Sequence, residues 1–90
     1  MAEAAPGPAG AVTVRLFAGA RAAAGTPQAQ VAVPDGATVH DVLEALLVQH
    51  PGVARVLPAC SFLLDGVSAR PAQAVGPART LDVLPPFSGG

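Results

Sequence analysis

Residues 38–52, TVHDVLEALLVQHPG, constrain the fold more than any other stretch of the chain. Val39, Val42, Leu43, Leu46 and Leu47 recur at i, i+3, i+4, i+7 and i+8, which on an α-helix makes a single apolar stripe. His40, Asp41, Glu44 and Gln49 take the other side. Thr38 stands three residues before Asp41, a capping-box arrangement with Asp in place of the usual Glu or Gln, and Pro51-Gly52 stops the helix. One amphipathic helix cannot bury its stripe against itself, so the rest of the chain must supply a floor.

The flanking segments read as that floor. In AVTVRLF, residues 11–17, Val12, Val14 and Leu16 point one way while Thr13, Arg15 and Phe17 point the other, the alternation of a half-buried strand. GARAAAGTP, residues 19–27, is a connection with room for one helical turn, and QAQVAV, residues 28–33, is a second strand closed by a Pro34-Asp35-Gly36 turn. CSFLL, residues 60–64, is a strand ending at Asp65-Gly66; residues 67–79 are turn-rich and weakly patterned. TLDVLP, residues 80–85, alternates again, with Leu81 and Val83 on one face and Asp82 and Leu84 on the other. The order strand, strand, helix, strand, irregular, strand predicts an α+β fold. A mixed sheet of four to five strands packs on one main helix, the β-grasp or ubiquitin-like arrangement. Residues 1–10, rich in Ala, Pro and Gly, read as a disordered leader, 11–84 as the β-grasp domain and 85–90 as a flexible tail.

Composition narrows the function. With three phenylalanines, at 17, 62 and 87, in 90 residues, Leu and Val must fill the core. A net charge of −1 without any block of like charge argues against nucleic acid or an anionic membrane as partner. The five basic residues are all arginine, so the chain has no lysine. Cys60 stands alone, which rules out an internal disulfide or an intrachain thiolate metal cluster. No signal-peptide pattern and no apolar run near ~20 residues is present, and a soluble cytoplasmic protein is expected.

The side chains offer little chemistry. Cys60 opens an apolar strand and reads as a small buried hydrophobe; His40 and His50 lie on different helix faces without a third ligand. Asp41 and Glu44 favour the helix dipole and no more. No phosphate-binding loop, dinucleotide motif or nucleophile-base set occurs, so the side chains do not make an enzyme. The remaining feature is LPPFSGG, residues 84–90. Two glycines lack side chains that would block a narrow channel and accept any backbone geometry it demands, while the prolines stiffen the exit from the last strand. An α-carboxylate on Gly90 is a poor acyl donor until ATP converts it to a mixed anhydride, after which sulfur or an amine can attack it. A frayed, inert end is the competing reading.

VRLFAGARAAAG, the single helix, LLDG and above all LPPFSGG together resemble the small sulfur carriers, the family of the molybdopterin synthase small subunit and the thiamine-pathway carrier (MoaD/ThiS), over about residues 11–90. The resemblance implies that Gly90 is adenylated by an E1-like enzyme using ATP and becomes a thiocarboxylate, with Gly89 as spacer, and that sulfur then passes to a downstream synthase. It implies a carrier with no bound cofactor and no catalysis of its own. By the same resemblance Pro85, Pro86, Phe87 and Ser88 form the arm that enters the partner; strand alternation separately sets Phe17 on the face away from the helix, where an apolar docking patch with Leu84 and Phe87 is expected. Molybdopterin synthesis is the first expectation for the pathway. Thiamine, cysteine or natural-product synthesis, a protein modifier joined through Gly90, and a binding module with an inert tail stay open. Arg79 before the last strand and the bulky Phe87 bear on which partners the chain meets.

Overall fold

The computed structural model describes residues 11–86. The elements are β1 (Ala11–Leu16), α1 (Ala18–Ala24), β2 (Gln28–Ala32), α2 (Val39–Gln49), two 3₁₀ turns (Pro51–Arg55 and Leu57–Ala59), β3 (Ser61–Leu64), β4 (Val67–Ala69) and β5 (Thr80–Leu84). The strands form one sheet in the order β2-β1-β5-β3-β4. β1 and β5 lie parallel at its centre, while the other pairs are antiparallel. This is the expected β-grasp, a five-stranded mixed sheet with α2 across one face.

Val12, Val14 and Leu16 of β1, Val31 of β2, Phe62 and Leu64 of β3 and Leu81 and Val83 of β5 are buried together with Val39, Val42, Leu43 and Leu46 of α2. The 3.6-residue stripe of the helix and the two-residue alternation of the strands thus meet in a single core. Leu47, the last member of the stripe, is half-buried at its margin. Thr38 accepts from the Asp41 backbone N–H at 3.2 Å, and the Asp41 side chain accepts from the Thr38 N–H at 2.9 Å, completing the capping box.

Three elements depart from the sequence reading. The expected single helical turn is a seven-residue helix, α1, because Ala-rich sequence propagates well and Gly25, at φ +78°, closes it with a left-handed cap donating to the Arg21 carbonyl. The weakly patterned stretch after Gly66 holds a strand, β4, too short for its alternation to be seen. Its hairpin with β3 turns through Asp65 and Gly66, both at positive φ, the type I′ geometry that matches strand twist. Cys60 precedes β3 rather than opening it, and is half-buried. The loop after β4 is held by α2 itself, whose Val39 and His40 N–H groups donate to the Gln73 and Pro71 carbonyls at 2.9 and 2.8 Å. Loop carbonyls there satisfy orphan donors of a helix N-terminus.

Candidate functional site

The last strand sets up the site. β5 is flanked by β1 and β3, so whatever follows Leu84 leaves from the middle of the sheet rather than from a loose edge. Leu84 pairs with Ser61, after which Pro85 and Pro86, lacking N–H groups, cannot extend the ladder. Pro85 is half-buried and Pro86 exposed. Phe87, Ser88, Gly89 and Gly90 lie outside the described residues, as does the expected leader at 1–10.

Around this exit, α2 leaves one sheet face open. Phe17 follows β1 with extended backbone and lies on that face, 38 % exposed. The parallel register pairs Leu16 with Val83, so Phe17 and the half-buried Leu84 stand one residue further along neighbouring strands, next to the point where the tail departs. Half-buried Leu63, opposite Asp82, continues the apolar surface onto β3.

Between these side chains stands a charge pair. Arg15 and Asp82 are register partners, and the guanidinium grips the carboxylate with both prongs, Nε to Oδ1 at 2.7 Å and Nη2 to Oδ2 at 2.9 Å. Asp82 is the buried charged residue among those described, at 5 % exposure, whereas half of the Arg15 side chain is in solvent. The hydrogen bonds it donates to Asp82, and then the charge of that carboxylate, push the Arg15 guanidinium above its already high range. Its Cζ also lies over the Phe17 ring, 5.7 Å from the centroid. The sequence puts both residues on the outward side of their strands; what it does not reveal is that β1 and β5, 67 positions apart, are neighbours in register.

The other candidates have no such setting. Cys60 donates to the Val56 carbonyl at 3.1 Å, and burial pushes its thiol up, away from a reactive thiolate. It lines an open groove of about 620 Å³ on the helix side, between α2, the 3₁₀ turns and the β3–β4 hairpin. His40 pairs with Glu44 one turn on at 3.6 Å, both exposed. Among the described residues no three His, Cys, Asp or Glu side chains come together, and no helix is long and apolar enough to cross a membrane.

Comparison with known proteins bears on the same features. Residues 14–90 match the ThiS family, a span that includes β5 and the terminal glycines. The chain is 31 % identical over 81 residues to the molybdopterin synthase sulfur carrier subunit of Chlamydomonas reinhardtii, covering 88 % of this chain and 98 % of that one. Its fold is similar to the crystal structure of SAMP1 from Haloferax volcanii, with a TM-score of 0.81 and 32 % identity over 90 % of this chain and all of the other. It is also similar to the solution structure of small archaeal modifier protein 1 from Methanosarcina acetivorans, at a TM-score of 0.75 and 28 % identity, over 93 % of this chain and 100 % of that one.

Proposed function

The chain belongs to the ThiS family as a ubiquitin-like sulfur carrier of the MoaD/ThiS type, and from that membership we propose that its sulfur rides as a thiocarboxylate on Gly90. An E1-like enzyme binds the tail and brings the Gly90 carboxylate to the α-phosphorus of ATP; pyrophosphate leaves and an acyl-adenylate forms. A sulfide-level nucleophile then attacks the acyl carbon, AMP departs with the bonding pair, and the thiocarboxylate remains. The carrier supplies the acyl group and no catalytic side chain, and ATP binds the activating enzyme. ATP consumption fits a cytoplasmic setting.

The observation that supports this reading is where β5 ends. The family match runs through Gly90, and the strand that feeds it lies at the centre of the sheet, beside an apolar face that no described element covers. A tail anchored there has a fixed origin, so its reach into a partner is set by residue count alone. Fully extended, residues 85–90 span about 20 Å at ~3.3–3.6 Å per residue. Gly89 needs no more room than backbone in the channel, while Pro85, Pro86, Phe87 and Ser88 form the inserted arm. Phe17 and Leu84 dock the body against the partner. The likeness to a molybdopterin synthase sulfur carrier subunit supports a molybdopterin synthase large subunit as acceptor.

Pyrophosphate exchange tests the reading on wild type, a variant lacking Gly90 and a variant with one residue added after it. Removing Gly90 leaves a glycine carboxylate but withdraws it by about 3.5 Å. Misplacement of ~1 Å at a reacting centre costs on the order of a hundredfold. Both variants should fall by at least that factor with unchanged circular dichroism; equal exchange by all three would refute the reading. The resemblance to two modifier proteins supports a second use of the same terminus, attachment to amines of other proteins. Lacking lysine, the chain cannot build side-chain-linked polymers of itself. Immunoblots for higher-mass adducts that vanish on removing Gly90 distinguish this use.

A further inference from the structure

An apolar docking face has no evident need for a charged pair at its middle, yet Arg15 and Asp82 occupy the centre of this one. Their register row runs Gln28, Arg15, Asp82, Leu63, Ser68 across all five strands, with Phe17 and Leu84 just beyond it toward the tail. We propose that the Arg15–Asp82 pair is a specificity element of the docking face, selecting a partner surface that sets two uncharged oxygen acceptors, main-chain carbonyls in the simplest case, inside an apolar rim that receives Phe17 and Leu84. The inference rests on the sulfur-carrier reading and names the surface chemistry which that carrier's partner must have.

The guanidinium has five N–H donors, of which Asp82 takes two and no other acceptor among the described residues takes a third. The carboxylate holds one edge of the guanidinium through two hydrogen bonds, the Arg15 Cζ stands 5.7 Å from the Phe17 ring centroid, and half the side chain remains in solvent, which leaves the unused donors within reach of a partner. A partner that covers Phe17, Leu84 and Leu63 also strips water from those donors. If it offers no acceptors, buried N–H groups go unpaired, and such a loss discriminates far more sharply than a missing methylene. The charge balance decides which acceptor. Asp82 already neutralises Arg15, so an incoming carboxylate would meet an attraction largely cancelled by repulsion from a buried carboxylate one strand away. Uncharged oxygens accept the same hydrogen bonds without that opposition.

The test measures the dissociation constant of full-length wild type, Arg15→Lys and the double variant Arg15→Met/Asp82→Leu for the carrier's own E1-like adenylating enzyme, with melting temperatures alongside. The double variant removes both charges together, which leaves no uncompensated carboxylate and commonly preserves folding. Binding should weaken about tenfold or more in the double variant while its melting temperature holds or rises. Arg15→Lys, which keeps charge but loses the planar fork, should weaken likewise. Wild-type affinity should change little between about 0.05 and 0.5 M salt. Equal or tighter binding by the double variant would overturn the inference, and a steep loss of wild-type affinity with salt would replace uncharged acceptors by a carboxylate and overturn it too. A wild type that gains sulfur on Gly90 separates these failures from failure of the carrier reading. A wild type that neither binds nor gains sulfur overturns both.

Discussion

The two faces of the sheet are made by the same strands and obey different rules. Under α2, β1 and β5 contribute Val12, Val14, Leu16, Leu81 and Val83, all at 2 % exposure or less. On the open side the same strands present Thr13, Arg15, Asp82 and Leu84, with Phe17 just past the end of β1. There, polar groups answer one another: Gln30 Nε2 donates to Thr13 Oγ1 at 2.8 Å, and Arg15 grips Asp82. The helix side is a packing problem solved inside the chain, whereas the open side keeps apolar surface and unused donors that no described residue covers. Alternation along a strand therefore separates the residues that make the core from those left on the open face.

That separation can be broken by mutation, the largest effect first. Leu46→Ala removes a fully buried side chain from the centre of the helix stripe and should cost about 2–5 kcal/mol in denaturant unfolding; a loss below 1 kcal/mol would deny the helix side its role. Phe17→Ala should do the opposite. It should weaken binding to the adenylating enzyme by about 2 kcal/mol or more while leaving the melting temperature almost unmoved, and a large drop in melting temperature would make Phe17 a core residue. Thr38→Ala removes one arm of the capping box and should cost about 1 kcal/mol of stability with no change in partner affinity. Cys60 packs at the margin of the core, away from the open face. Because burial raises its thiol, iodoacetamide should modify it more slowly at neutral pH than it does an exposed cysteine, and Cys60→Ala should still acquire sulfur on Gly90.

The sequence made some of this legible and hid the rest for identifiable reasons. The helix, its cap and the in-or-out sense of β1 and β5 follow from residues adjacent in sequence, so periodicity exposes them. β4 escaped because three residues carry too little alternation, and the length of α1 because alanines show no amphipathic pattern. The loop after β4 looked unstructured because its partners are N–H groups of α2, about thirty positions earlier in the chain. The Arg15–Asp82 pair is the plainest case: each residue was assigned outward, but only the parallel pairing of first and last strands brings them together. Phe17 and Leu84 stand one residue beyond the paired Leu16 and Val83 on the open face, while Phe87 lies outside the described residues.

The central claim is that the chain works through the carboxyl group of Gly90, and intact-mass spectrometry tests it most directly. Wild type incubated with ATP, a sulfide source and its adenylating enzyme should gain the mass of one sulfur in place of one oxygen. The gain should localise to the fragment bearing Gly90, and neither omission of ATP nor the variant lacking Gly90 should show it. An unchanged mass in the complete reaction, or a whole sulfur atom added on Cys60 with no oxygen lost and Gly90 unchanged, would contradict the account.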